Sequence, residues 1–181
     1  MKSNQKHFIG LITILMAVVF VSGCTDSNNM QNNSADNNNQ IQPGNVEYTI
    51  VTSTFQIPEE WHKVDDSPKD IAEFSIGSTA DDGASLRVKE YADENAQNSE
   101  YKEYSTSGTG YAVTESKKTI SGIPTKVVKT VYDDISPETI TDYYFQKNGK
   151  YYRVTVDILR IDDIGNSVTD KALNTVISTI K

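Results

Sequence analysis

The strongest local constraint in this chain is an Asn-Gly pair between two stretches of alternating apolar and polar residues. Asn148 and Gly149 separate the stretches 141–146 and 151–159. Asn and Gly best tolerate the positive φ angles of a two-residue type I′ turn, so the pattern predicts a β-hairpin. Such a turn places Lys147 opposite Lys150, and this pairing fixes the register of both strands.

The register sorts the side chains of the hairpin into two faces. The apolar and aromatic face contains the pairs Phe145 with Tyr152, Tyr143 with Val154, and Thr141 with Val156. The polar face contains the pairs Gln146 with Tyr151, Tyr144 with Arg153, and Asp142 with Thr155. This contrast predicts an antiparallel sheet that is covered on one side and wet on the other.

The remaining periodicity predicts further strands and two helices. The strands are expected at 46–51, 72–78, 84–91, 111–120 and 125–133, with turns at 79–83 and 121–124. Good helix formers occupy 93–105. A C-terminal helix is predicted with Ser167 as its cap and Asp170 three positions on. Its apolar stripe comprises Val168, Ala172, Val176, Ile177 and Ile180. The predicted fold is α+β, an antiparallel β-sheet with helices packed on one face.

The N-terminus combines two lysines, an apolar run and the cysteine of the chain. Lys2 and Lys6 precede an apolar run at 8–21, which is shorter than the ~20 residues of a membrane-spanning helix. The run ends in small residues before Cys24, the only cysteine, and resembles the lipobox of prokaryotic lipoproteins. The resemblance implies cleavage after residue 23 and a lipid on the Cys24 thiol. An ordinary secretory signal with an incidental cysteine is the alternative.

The residues that follow Cys24 predict a tether and one folded domain. Asn and Gln dominate 25–45, where large apolar residues are rare, so this segment cannot bury enough surface to fold. We therefore expect a signal peptide at 1–23, a lipidated and disordered tether at 24–45, and an α+β domain at 46–181. The domain is then held at the extracytoplasmic face of the cell membrane by its lipid.

Three motifs of the domain carry a family resemblance. The stretch from Phe55 to Trp61, FQIPEEW, looks like the F-x-[IV]-P-x-x-W opening of PsbP-like domains. Ser121-Gly122 resembles its central turn, and the hairpin with the closing helix resembles its C-terminal half. The family includes an extrinsic photosynthetic subunit, a Ran-binding transport factor and prokaryotic lipoproteins. The resemblance implies a PsbP-like fold and a non-catalytic protein that docks on other proteins.

Composition excludes several function classes. The chain has 181 residues and a net charge of −8, with 17 basic and 25 acidic side chains. This balance argues against nucleic-acid binding, which needs clustered Lys and Arg. His62 is the only histidine after the leader, and no Gly-x-Ser-x-Gly elbow accompanies it, so no enzyme is predicted.

The candidate binding residues are aromatic or acidic. The predicted ligand- or partner-binding residues are Trp61, Tyr144, Tyr151 and Arg153, because aromatic and Arg side chains are enriched at interfaces. Core packing is the alternative for Trp61 and for most of the ten tyrosines. Asp133, Asp134 and Glu138 share one loop and form the acidic cluster chosen as a candidate calcium site, although none of the acidic clusters has EF-hand spacing. Solvated acidic turns are the alternative, and no other cofactor is predicted.

These observations predict a membrane-anchored, non-enzymatic lipoprotein whose domain docks on or positions another envelope protein. The partners expected are the membrane, through the N-terminal lipid, and that protein. The alternative is a surface lipoprotein that binds calcium or a small ligand.

Overall fold

The computed structural model describes residues 41–77, 83–106, 108–132, 138–158 and 166–181 as an α+β fold. Nine strands and two helices are assigned in these ranges. The strands are β1 (Asn45–Ile50), β2 (Ser53–Pro58), β3 (His62–Lys63), β4 (Ile71–Ile76), β5 (Ala84–Tyr91), β6 (Tyr111–Ile120), β7 (Ile123–Tyr132), β8 (Thr139–Lys147) and β9 (Lys150–Ile158). The helices are α1 (Glu94–Tyr104) and α2 (Asn166–Thr179). The predicted α+β class is confirmed.

Seven strands form one antiparallel sheet in the order β3-β4-β5-β9-β8-β7-β6. The β8–β9 hairpin has the predicted register: Lys147 pairs with Lys150 and Phe145 with Tyr152. Asn148 and Gly149 both have positive φ, as the turn requires. The remaining strands, β1 and β2, form a separate hairpin.

The hydrophobic core lies between the sheet, α2 and the β1–β2 hairpin. Phe55 and Ile57 of β2 are fully buried, and they share the core with Val176 and Ile177 of α2. The C-terminus extends this packing, because Lys181 and Thr54 exchange two backbone hydrogen bonds of 3.0 Å. Packing of apolar side chains from one helix stripe and one sheet face supplies most of the stabilisation of this side.

Helix α1 lies on the opposite face of the sheet, which differs from the expectation that the helices share one face. Glu100 and Tyr101 contact Arg153 and Tyr144 of the polar hairpin face. This face is therefore buried where the sequence predicts a wet one: Asp142, Tyr144, Arg153 and Thr155 have little exposure. Helix propensity says nothing about the face on which a helix packs, and here polar contacts decide it.

Several local expectations need correction. The periodicity did not predict β2 and β3, because β2 is buried almost throughout and β3 is only two residues long. Helix α2 begins at Asn166, so Ser167 lies within its first turn and is not the cap. Helix α1 begins where 93–105 predicts it, with the Asp93 carboxylate accepting from the amide of Ala96 at 2.9 Å.

Some of the predicted features lie outside the described residues. These are the signal peptide at 1–23, Cys24, most of the tether at 24–45, most of the turn at 79–83, and the aspartates Asp133 and Asp134. The described end of the tether is attached to the domain, since Gln42 donates its amide to the Gln56 side chain at 3.1 Å. Neither described helix has the length and apolar character that a membrane crossing requires.

Candidate functional site

A cleft of about 580 Å³ opens on the α1 face of the sheet. Its floor is formed by β6, β7 and the β8–β9 hairpin, and α1 forms one wall. We call it the lysine cleft and define it by seven of its lining residues. These are Glu94, Gln97, Lys117, Lys118, Lys126, Tyr144 and Tyr151. The cleft is concave, partly aromatic and open to solvent, which are properties of a binding site.

Strand pairing brings the lysines together. Lys117 pairs with Lys126 across the β6–β7 hairpin, and Lys126 in turn pairs with Tyr144 of β8. These three side chains therefore stand in one row on the α1 face. The Lys126 ammonium lies 5.0 Å from the ring centre of Tyr101 and 3.4 Å from the Asn98 amide oxygen.

Lys117 and Lys118 are the cations of the cleft that remain available. Both are exposed, and among the described residues neither makes an ion pair or a side-chain hydrogen bond. An ammonium that has no partner within the fold can form an ion pair with an anion of another molecule without breaking an internal contact. The Lys117 side chain therefore adds an available positive charge to the cleft, whereas the side chain of Lys118, the next residue of β6, lies on the other face of the sheet.

Tyr144 anchors the floor of the cleft. It is 2 % exposed, and its ring meets the Tyr101 ring edge-on at a centroid distance of 5.3 Å. Burial raises the pKa of the Tyr144 phenol above its ordinary value, with the nearby Asp142 carboxylate adding to the effect. Tyr144 therefore contributes a buried, neutral ring to the floor of the cleft.

A charged cluster fixes the wall of the cleft. Glu100 of α1 contacts Arg153 at 2.5 Å and Lys89 at 2.8 Å. Beneath it, Asp142 accepts from the Thr155 hydroxyl at 2.6 Å, and burial nevertheless raises the pKa of the Asp142 carboxyl. The helix has few apolar residues on this side, so these ion pairs hold it against the sheet.

Gln97 adds a second attachment for α1. Its side-chain amide donates to the backbone carbonyls of Phe145 at 3.1 Å and Tyr152 at 2.8 Å. Gln97 is buried, and both bonds end on the β8–β9 hairpin that forms the floor. The wall and the floor of the lysine cleft are thus joined directly.

The structure separates the predicted binding residues. Tyr144 and Tyr151 line the cleft, and Arg153 lies beneath α1 in the charged cluster. Trp61 is 2 % exposed in the core on the α2 side and does not reach the cleft. Lys117, Lys118 and Lys126 were not among the predicted residues. Counting charge along 111–132 could have found them, since four lysines and one glutamate occupy this hairpin.

Only one residue of the predicted calcium cluster is described. Glu138 lies beside Asp157 of β9, and burial together with the Glu138 charge raises the pKa of Asp157 to about 6. Arg87 contacts the same carboxylate at 3.3 Å. Within the described ranges no three His, Cys, Asp or Glu side chains are grouped as metal ligands.

The sequence matches no family model and no curated protein. Three solved structures are similar in chain trace. The yeast Ran-binding protein Mog1p is 10 % identical, with 76 % of this chain and 94 % of that chain covered and a TM-score of 0.48. LpqN, described as involved in cell envelope biogenesis of Mycobacterium tuberculosis, is 15 % identical, with coverages of 77 % and 85 % and a TM-score of 0.48. Cyanobacterial PsbP from Synechocystis is 17 % identical, with coverages of 82 % and 97 % and a TM-score of 0.42.

A Bacteroides thetaiotaomicron protein is longer, and the match spans 44 % of its chain at 12 % identity and a TM-score of 0.44. All four TM-scores lie below 0.5. The function must therefore be argued from the cleft.

Proposed function

We propose that this chain is a membrane-anchored, non-enzymatic lipoprotein whose domain docks on another protein of the cell envelope through the lysine cleft. The observation that carries the proposal is the cleft itself, which offers the available Lys117 ammonium and the half-buried Tyr151 ring, with the available Lys118 on the other face of the same strand. Aromatic rings supply contact area at low entropic cost, and charges select the partner.

The distribution of charge supports an acidic partner surface. Residues 111–132 contain four lysines and one glutamate, a charge of +3. The net charge of −8 therefore leaves −11 for the rest of the chain. A positive patch on an acidic protein attracts an acidic surface while the remainder repels it, so the approach is oriented toward the β6–β7 hairpin.

The position of His62 supports a non-catalytic role. His62 is exposed on β3, at the sheet edge opposite the cleft. The titratable groups that line the cleft are lysines, tyrosines and Glu94, which suit the binding of an anion. Acid–base catalysis near neutral pH needs a group whose pKa lies close to that pH.

The lipid anchor is supported by the sequence around Cys24, which resembles a lipobox. One acyl chain holds a protein only marginally at a membrane, whereas two or more hold it stably. We expect Cys24→Ser to release the protein from the membrane fraction. A Cys24→Ser protein that stays attached would contradict the anchor and leave the cleft proposal standing.

Site-specific photo-crosslinking in cells tests the docking role. A photoreactive amino acid replaces Gln146, which is exposed at the cleft, and in a parallel protein it replaces Lys69 at the opposite edge. We expect a single protein partner to crosslink at 146 and not at 69. The partner should be lost in the double variant Lys117→Glu/Lys118→Glu.

The matched control is the double variant Lys63→Glu/Lys69→Glu, which makes the same charge change on exposed lysines far from the cleft. It should retain the crosslink at 146. If no protein crosslinks at 146, or if both double variants behave alike, docking through the cleft is wrong. A rise in melting temperature with calcium or a small anion would then favour the alternative, a ligand-binding surface lipoprotein.

A further inference from the structure

The outer edge of β6 is available for pairing. β6 spans Tyr111–Ile120 at one end of the seven-stranded sheet, and among the described residues only Gly108 bridges to its outer side, at Tyr111. Its ten residues pair with β7 without a bulge, and the strand contains no proline. Natural sheets usually shorten, bulge or cover such an edge, because its backbone groups can recruit another strand.

The β6–β7 turn shows which backbone groups face outward. Ser121 and Gly122 both have positive φ, and Ile120 pairs with Ile123 across this two-residue turn. The pair that flanks such a turn is hydrogen-bonded, and the pattern then alternates along the strands. The residues whose N–H and C=O groups point away from β7 are therefore Tyr111, Val113, Glu115, Lys117 and Thr119.

Lys117 and Lys118, the two lysines at this edge, determine which strands can pair with β6. Lys117 and Lys118 are neighbours in the strand, so their side chains lie on opposite faces of the sheet. A strand with lysines at the facing positions is repelled, whereas one with acidic residues gains a cross-strand ion pair on each face. The edge therefore favours an acidic strand.

Resting on the proposed function, we propose that the partner segment is an acidic, extended peptide that adds to β6 as an eighth strand. Its backbone bonds to the outward groups of β6. Its acidic side chain on the α1 face reaches Lys117 and the lysine cleft, and the next acidic side chain meets Lys118. This is strand addition, in which backbone bonds give affinity and side chains give specificity.

A second copy of this chain is a poorer occupant. Its exposed strand edge at β6 carries the same two lysines and one glutamate, so pairing edge to edge leaves one lysine of each copy without an acidic partner. An acidic segment of a different protein satisfies both lysines, and we therefore commit to that partner.

The test uses the full-length, ¹⁵N-labelled protein in a mild detergent and a ten-residue peptide, the length of β6. The peptide alternates threonine and valine and carries two adjacent glutamates at its centre. A control peptide has lysines in place of the glutamates. Hydrogen exchange is measured residue by residue. We expect the amides of Val113, Glu115, Lys117 and Thr119 to slow about tenfold or more with the acidic peptide. The inward amide of Ser116 should keep its rate.

Thr119→Pro removes one outward amide and no bond to β7, and Thr119→Ala is its matched control. We expect the proline variant to weaken peptide binding about fivefold or more, as the loss of an edge hydrogen bond predicts, and the alanine variant to bind normally. Equal binding by the two variants would contradict strand addition. So would binding without protection of the outward amides, or no protection at a peptide concentration of about 1 mM.

Two further outcomes would also overturn the proposal. Protection of the outward amides by raised protein concentration alone would identify a second copy as the occupant. Binding to phosphatidylglycerol vesicles in preference to the peptide, lost in Lys117→Glu/Lys118→Glu, would identify a membrane surface.

The two proposals can fail separately. If the crosslink at 146 depends on the lysines but survives Thr119→Pro, docking at the cleft stands and strand addition is wrong. If the peptide protects β6 but no protein crosslinks at 146 in cells, the edge has the inferred chemistry and the proposed function is wrong.

Discussion

Glu100 of α1 contacts Arg153 of β9 at 2.5 Å and joins a helix to the polar face of the sheet. The same glutamate binds Lys89, and Arg153 lies 3.7 Å from Asp142 and over the Tyr104 ring. Glu100 and Arg153 are both largely shielded from water. This shielding strengthens their attraction and makes the loss of either charge strongly destabilising. The lysine cleft depends on this contact because α1 is its wall.

Removal of the Glu100 charge is expected to lower the stability of the protein. Glu100→Gln keeps the shape and removes the charge, which leaves the buried Arg153 undercompensated. We expect a loss of about 2 kcal/mol in the free energy of unfolding, measured by urea denaturation. Glu103→Gln, an exposed change on the same helix, should alter it by less than about 0.5 kcal/mol. Equal effects of the two changes would show that the pair does not hold α1.

The pKa of Asp157 predicts a pH-dependent stability. This pKa is raised from 3.8 to about 6, so the folded state binds more protons than the unfolded state between these values. Stability is therefore lost as the pH rises through this window. Asp157→Asn removes this loss of stability. We therefore expect the free energy of unfolding of the variant to be higher than that of the native protein by about 2 kcal/mol at pH 7, and by much less at pH 4.

Urea denaturation of both proteins across that pH range measures the difference. Glu138→Gln removes the neighbouring negative charge and should likewise stabilise the protein at pH 7. A difference between Asp157→Asn and the native protein that stays constant with pH would contradict the assignment.

Trp61 is expected to act as a core residue. It is the only tryptophan, is 2 % exposed, and its indole nitrogen has no partner among the described residues. Trp61→Ala should cost about 3–5 kcal/mol of stability, while Trp61→Phe should cost less because it leaves a smaller cavity. Thermal unfolding measures both. A stable Trp61→Ala protein would remove Trp61 from the core and restore it as a candidate ligand contact.

Val51 predicts a stabilising substitution. It lies in the β1–β2 turn with φ at 45° and is 58 % exposed. A β-branched residue is strained at positive φ, whereas Asn tolerates it. Val51→Asn should stabilise the protein by about 1 kcal/mol in urea denaturation. Val64→Asn, a change of the same type at an exposed residue without positive φ, should have little effect. A gain at both positions would point to a general effect of polarity.

The turn around Val51 is held by side chains from distant strands. Lys150 donates to the Thr52 carbonyl at 2.9 Å, and the Thr52 hydroxyl donates to Glu90 at 2.6 Å. Behind them, the hydroxyls of Ser53 and Tyr152 are 2.8 Å apart. These contacts explain how an unfavourable turn residue persists, because tertiary bonds offset the local strain.

Sequence patterns predicted the elements whose signals are local. The Asn148–Gly149 turn fixed the β8–β9 register, and the strands predicted at 84–91 and 111–120 have the bounds of β5 and β6. The helix formers at 93–105 predicted α1, and the structure shows that Asp93 caps it. The buried strand β2 was missed, since a continuous apolar run has no period to detect.

The lysine row of the cleft shows where such prediction stops. Lys117 and Lys126 are brought opposite each other by the β6–β7 pairing, and Tyr144 joins them through β8. The turn at 121–124 was predicted from the sequence, whereas the β7–β8 pairing and the wall that makes the row a cleft were not. The wall depends on the face on which α1 packs.

The sequence by itself determined the β8–β9 hairpin, the turn between β6 and β7, the two helices and the acidic character of the chain, because turn chemistry and periodicity act between near neighbours. Only the tertiary structure decided that α1 covers the polar face, that Trp61 is in the core, and that a positive edge borders a cleft. These outcomes depend on contacts such as Glu100 with Arg153, which lie far apart in the chain and form only when the sheet has assembled.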